Sequence, residues 1–297
     1  MQSRISSYFS FKDKNGDKIP KFQNDLEGHT NFPLINILDD VVLKKANETE
    51  YDNQKFFSDI VVNGGCPNFP LVYGRGNTFI EESDIEEKDE QVPDYPKIII
   101  TMEKFEGDYE DIDKSTEDID EYISLLLQIF MTLYIIDSHD KYHGDLNPGN
   151  LLYKTITEQD DYDSEHPGYL KYIIGEDTYY VKHFNKLWVI CDFEFMGEKG
   201  EMLLEDDGFT DIFFKRLFCD LYEEMEGSTL WNYEESKPMI KGSWLYDMYV
   251  FTHFTGALKM SDRIFYMMRD NCNMNPVEAI PHIIKNEFDH ILVRNTL

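Results

Sequence analysis

The stretch YHGDLNPGNLLY, residues 142–153, decides how this chain is read. Asp145 and Asn150 stand five residues apart, Pro148 and Gly149 lie between them, and an apolar run follows. Proline, glycine and asparagine favour a tight turn. A carboxylate and a carboxamide are therefore presented together just ahead of a strand. Upstream, IDEYISLLLQIFMTLYIIDSHDKY (119–142) carries apolar residues at helical spacing, with acids at the end where a helix favours them. Downstream, YLKYII (169–174) and TYYVKHF (178–184) read as strands joined by a turn at Gly175, and KLWVICDFEF (186–195) reads as a third. Asp192 ends the apolar part of that third run.

The same reading extends toward the N-terminus. Residues 1–30 are polar and interrupted by Gly16, Pro20 and Gly28. FPLINILDDVVLKKA (32–46) holds two short β-prone runs split by Asp39 and Asp40. ETEYDNQKFFSDIVV (48–62) places Glu50, Gln54, Phe57 and Val61 on one helical face. NGGCPNFP (63–70) reads as loop, and the acidic stretch 80–94 as a solvated connector. YPKIIITMEKFEGD (95–108) is a buried strand ending in a polar turn at Gly107, and 208–297 reads mostly as helices. These elements predict an α+β chain with a small, strand-rich part over 1–103 and a larger helical part over 104–297.

Composition narrows the function. The chain has 297 residues and a formal net charge of -30. So much negative charge repels phosphate backbones and anionic lipid, which argues against nucleic-acid and membrane-surface partners. A phosphate-bearing ligand would need a local cation or a metal ion. Cys66, Cys191, Cys219 and Cys272 form no C-x-x-C pair, so neither zinc nor a disulfide framework is expected. The N-terminus has no apolar signal core, and no apolar run approaches membrane-spanning length on this reading. A soluble, cytoplasmic monomer is expected.

Asp145, Asn150 and Asp192 together suit one kind of chemistry. Amide and carboxylate oxygens are ligands for Mg²⁺, which keeps several waters and takes few protein ligands. A further carboxylate nearby can align a hydroxyl and accept its proton, which is the division of labour in phosphoryl transfer.

HGDLNPGN, followed later by a strand ending in Asp192-Phe193-Glu194, resembles the catalytic and metal-binding loops of the protein-kinase superfamily. Other segments fall in the order that resemblance implies. VVLKK resembles the strand bearing the nucleotide-contacting lysine, CPNFPLVYG the segment after the regulatory helix, and IIITMEKFEGD the strand leading to the hinge. The likeness covers about 41–195 and continues more weakly to WLYDMYVF (244–251). The gap from Asn150 to Asp192, 192 − 150 = 42 residues, holds a hairpin, and this resembles the divergent serine/threonine protein kinases of large DNA viruses. Glycine after the histidine is also similar to aminoglycoside- and choline-type small-molecule kinases. If the source is viral, the location implied is host cytoplasm or virion.

The resemblance implies a bilobal fold, with ATP and Mg²⁺ as cofactors and Ser/Thr hydroxyls of a protein as acceptors. Asp145 is then the catalytic acid–base residue, and Asn150 and Asp192 are the metal ligands. Lys44, with Lys45 as its rival, contacts the nucleotide phosphates, and Glu50, with Glu48 as its rival, is the lysine's partner. Met102 takes the gatekeeper position, and Glu103 to Phe105 the hinge. His143 packs the loop, while Asp247 or Asp211 braces its backbone. Three departures accompany these roles. No G-x-G-x-x-G precedes Lys44, where only Gly16 and Gly28 are on offer. Asn147 stands where a phosphate-contacting lysine is usual, and Glu194 replaces a hinge glycine. Gly144 replaces an arginine that commonly couples to activation-loop phosphorylation. A binding-only pseudokinase and a small-molecule kinase therefore stay open beside the protein kinase.

Overall fold

The computed structural model describes residues 35–37, 41–77, 98–112, 118–156, 166–200, 243–269, 273–284 and 288–296. The candidate phosphate loop at 16–28, the connector at 80–94 and Asp211 lie outside them. The fold is mixed α+β with small antiparallel sheets and several helices. The described parts of Met1–Ile129, Gly149–Glu194 and Glu287–Leu297 form one compact unit; those of Phe130–Pro148 and Phe195–Asn286 form a second. Each unit is discontinuous in sequence, so neither is a simple cut of the chain at 103.

In the first unit, β1 (Ile35–Ile37), β2 (Val41–Ala46), β3 (Val72–Asn77) and β4 (Ile98–Glu103) make a four-stranded antiparallel sheet in the order β1-β2-β4-β3. β4 is central, and its Ile98, Ile99 and Ile100 are almost fully buried. Between β2 and β3 runs α1 (Glu48–Val62). Asn47 caps it by accepting the Glu50 N–H at 2.8 Å, and acids occupy its first turn, where the helix dipole favours them. Its buried face is Glu50, Gln54, Phe57 and Val61, the helical spacing read from the sequence.

A second sheet joins β5 (Gly107–Asp108), β7 (Leu151–Thr155) and β10 (Lys186–Ile190) in the order β10-β7-β5. A third is built from β8 (Tyr169–Ile174), β9 (Asp177–Lys182) and β12 (Leu292–Thr296), with β9 in the middle. The described residues of 208–297 are mostly helical, as the sequence reads, and β12 is the strand among them. Its partner β9 lies more than a hundred residues upstream, so local pattern could not show the pairing. β9 also stops sooner than TYYVKHF suggested, because Phe184 and Asn185 adopt left-handed backbone (φ 45° and 61°) and start a turn.

The long helix α2 (Ile119–Ser138) passes from the first unit into the second after Ile129. It was expected to reach Tyr142. It ends instead where His139 and Asp140 donate to Ile136 and Asp137, and Asp140 turns left-handed (φ 56°). Lys141–Tyr142 then form β6, paired with β11 (Gly197–Glu198). A second correction concerns the membrane. α2 is 20 residues long with a window of mean hydropathy 1.5, enough by length and composition to cross a bilayer. Two thirds of that window is buried inside the protein, and Leu125, Leu126, Leu127, Phe130, Met131 and Leu133 are fully enclosed. Packing therefore accounts for its apolar composition. The second unit also contains α3 (Trp244–Phe254), α4 (Leu258–Arg269) and α5 (Pro276–Ile283). α3 is buried along almost its whole length, including Asp247.

Candidate functional site

Strand β2 and helix α1 together bury a cation. Lys44 leaves β2 with only 8% of its surface exposed, and its Nζ lies 2.7 Å from Glu50 on α1 and 2.7 Å from Asp192 beyond β10. Val41, Leu43 and Lys44 are all buried, because Glu50 covers the lysine, while Lys45 is half-buried. Glu48 faces elsewhere, in an exposed ion pair with Arg75 at 2.6 Å.

Burial opposes the Lys44 charge, but the two carboxylates outweigh it and hold the ammonium's pKa above the ordinary lysine value. Glu50 is pushed up to about 7. Burial is the main cause, opposed by Lys44 and reinforced by Asp192 and Glu194. One cation thus serves two buried or half-buried acids, which leaves negative charge in excess. Glu194 adds to it: ligand oxygens of Glu50, Asp192 and Glu194 all lie within 4.8 Å of one another. Hard cations take such oxygens, so these three could hold a divalent ion.

Asp192 is placed by backbone geometry as much as by charge. β10 pairs with β7 in a register that opposes Ile190 to Leu151, and the Cys191 N–H donates to the Asn150 carbonyl at 3.0 Å. Asn150 and Asp192 therefore sit at neighbouring strand ends. Asp192 itself is left-handed (φ 65°), a conformation that aspartate tolerates better than most residues and that turns the chain sharply. The next residue, Phe193, is fully buried, stacked on Phe57 of α1 at 5.1 Å and near Phe69 at 6.1 Å. Asp192 and Glu50 are so fixed to one helix by ring packing as well as by Lys44.

The second unit holds the other half of the opening motif. Asp145 is half-buried; its N–H donates to the His143 Nδ1 at 3.3 Å and its carbonyl accepts from Asn147 at 2.8 Å. Leu146 and Pro148 are buried and anchor the turn. His143 is fully buried. Gly144 has φ 85°, a conformation open to glycine at little cost. The backbone N–H groups of His143 and Gly144 both donate to the Asp247 carboxylate, each at 2.8 Å. Asp247 is fully buried on α3, and its pKa is pushed up to about 6, by burial first, against the two N–H donors and His143.

The residues expected at the hinge fall at the end of β4. Met102 is half-buried against Ala46, Val72, Ile98 and Ile100. Glu103 is buried and turned inward: it pairs with Lys154 on β7 at 3.0 Å, and its N–H donates to Leu71 at 2.8 Å. Phe105 is half-buried. Below it, Glu106 accepts from the backbone and hydroxyl of Thr155 at 2.8 and 2.7 Å, fastening this segment to β7.

Glu194, which in the sequence marks only the loss of a hinge glycine, joins the acidic cluster, and Asn68, Gln128 and Tyr172, which no motif marks, form a buried polar network against β10. Gln128 did carry a signal, since it interrupts the apolar run LLLQIF. No family model matches this chain, and no curated protein is detectably similar to it in sequence.

Proposed function

We propose that this chain is a divergent, bilobal, protein-kinase-like phosphotransferase that moves the γ-phosphoryl group of ATP to a Ser or Thr hydroxyl of a protein. The observation that carries the reading is the Lys44–Glu50–Asp192 cluster. A strand lysine lies 2.7 Å from a helix glutamate and 2.7 Å from the aspartate after β10, and these are the residues that the kinase resemblance nominates for one another.

The donor set fits a divalent cation, since three carboxylates gather around one lysine and an amide-bearing residue adjoins them at the strand end. Asp192 and Asn150 would hold Mg²⁺, which would offset the excess negative charge of the carboxylates, and ATP would supply the phosphoryl group. Lys44 binds and orients the nucleotide phosphates. Glu50 holds Lys44 in place and keeps it charged. Asp145 aligns the acceptor hydroxyl and takes its proton, and its loop is kept in shape by Asp247 through two backbone N–H groups. Gly144 leaves no arginine in that loop to answer a phosphorylated segment.

A binding-only role is the second reading. Asn147 brings no charge to the transferring phosphate, and Glu194 brings a carboxylate toward Asp192. Purified protein with Mg²⁺ and γ-labelled ATP separates the two. The enzyme labels itself or a generic protein, and Asp145→Ala abolishes the label. If wild type and Asp145→Ala behave alike, the enzyme reading fails. Consumption of ATP only with a metabolite pool would assign a small-molecule acceptor.

A further inference from the structure

Among the described residues, strand β10 lies at the edge of its sheet, with β7 on one side only. An edge strand leaves alternate N–H and C=O groups unpaired, yet here they are met by one backbone carbonyl and by two side chains. The Ile190 N–H donates to the backbone carbonyl of Asn68 at 3.0 Å, and the Trp188 carbonyl accepts from the Asn68 side-chain amide at 2.7 Å. The Trp188 N–H donates to Gln128 at 3.0 Å, and the Lys186 carbonyl accepts from Gln128 at 3.2 Å. Asn68 also donates to Gln128 at 3.1 Å, so the two amides act as one clamp.

The Asn68 side-chain oxygen needs a donor of its own, and the donor comes from the hairpin that separates Asn150 from Asp192. Tyr172, on β8 and 1% exposed, donates its hydroxyl to Asn68 Oδ1 at 2.7 Å. The Cys66 thiol is a second, weaker donor at 3.6 Å. With its oxygen occupied, the Asn68 amide is oriented with its N–H groups toward Trp188 and Gln128. β10 ends two residues before Asp192. The hairpin thus reaches Asp192 through one hydroxyl, one amide and one strand.

We infer that Tyr172 is a positioning residue for Asp192: the hairpin between the two metal-ligand positions sets the aspartate by orienting Asn68 against the open edge of β10. This inference rests on the phosphotransferase reading. Outer partners that orient a metal ligand typically change metal affinity or activity by ten- to a hundredfold when removed.

The test compares full-length wild type, Tyr172→Phe and Ile173→Ser, the last a control on the same strand whose side chain is 58% exposed. Phosphoryl-transfer kinetics are measured against Mg-ATP, and amide hydrogen exchange is followed at Trp188, whose N–H the clamp holds through Gln128. Tyr172→Phe is expected to raise the KM for Mg-ATP roughly tenfold, with a smaller change in kcat and faster exchange at Trp188. Ile173→Ser is expected to match wild type in both. A Tyr172→Phe enzyme with a wild-type KM, or with wild-type exchange at Trp188, overturns the inference whatever its melting temperature. If that variant does not fold, Gln128→Met opens the same strand edge without touching the hairpin and must show the same rise in KM. A wild type that transfers no phosphoryl group sinks the functional reading itself. That outcome is distinguishable, because failure of the inference alone leaves wild type active.

Discussion

Two acids at the heart of this chain are held in opposite ways. In the first unit, Asp192 is held by charge: Lys44 lies between it and Glu50, and Glu194 leaves the group with more carboxylates than cations. In the second unit, Asp247 is held by the backbone, through two N–H groups and no side-chain cation at hydrogen-bond distance among the described contacts. The first arrangement is electrically incomplete and suits a site that receives a cation. The second is complete and suits a brace. The kind of partner a buried acid takes thus separates a ligand-binding role from a structural one more clearly than burial does.

The comparison can be broken most forcefully at Lys44. Lys44→Met leaves Glu50 buried without its cation, and losing one partner of a buried pair costs about 3–5 kcal/mol in stability. The double variant Lys44→Met/Glu50→Leu should recover most of that loss in a denaturant titration. If the single variant is as stable as wild type, the charge-held description is wrong. A smaller effect is expected from the brace. Asp247 has a folded pKa near 6 and an ordinary value of 3.8. Its folded pKa is raised, so its contribution is fully present below 3.8 and is lost as pH rises through 6. Relative to Asp247→Asn, wild type should lose about 1 kcal/mol between pH 5 and 7. A stability difference that is flat with pH would show that the carboxylate is not desolvated. The smallest effect should be at Glu48, whose pairing with Arg75 is exposed on both sides. Glu48→Ala should shift stability by less than about 0.5 kcal/mol and leave Mg-ATP kinetics unchanged.

Local pattern carried much of the fold. The α1 boundaries and its buried face follow directly from ETEYDNQKFFSDIVV, because capping and helical spacing act over a few residues. The hairpin β8–β9 was likewise readable from its alternation and Gly175. What stayed hidden depends on distant partners. β12 pairs with a strand more than a hundred residues away; Asp247 meets His143 and Gly144 across a similar separation, and only the kinase resemblance, not local pattern, nominated it for that loop, with Asp211 as its rival. Whether Lys44 or Lys45 is the buried cation is settled by Glu50 reaching across from α1, which the strand's own sequence does not encode. Asn68 and Tyr172 read as an ordinary loop amide and an ordinary strand aromatic. Only the open edge of β10 gives them a task.

The central claim is that charge in the first unit binds the nucleotide while Asp145 in the second performs the transfer. Measuring Mg-ATP binding by calorimetry beside label transfer, for wild type, Lys44→Met and Asp145→Asn, tests it most directly. The account predicts that Lys44→Met loses both binding and transfer, whereas Asp145→Asn keeps binding and loses transfer by at least about a hundredfold. Transfer at the wild-type rate in Asp145→Asn, or undiminished Mg-ATP binding in a folded Lys44→Met protein, would contradict it.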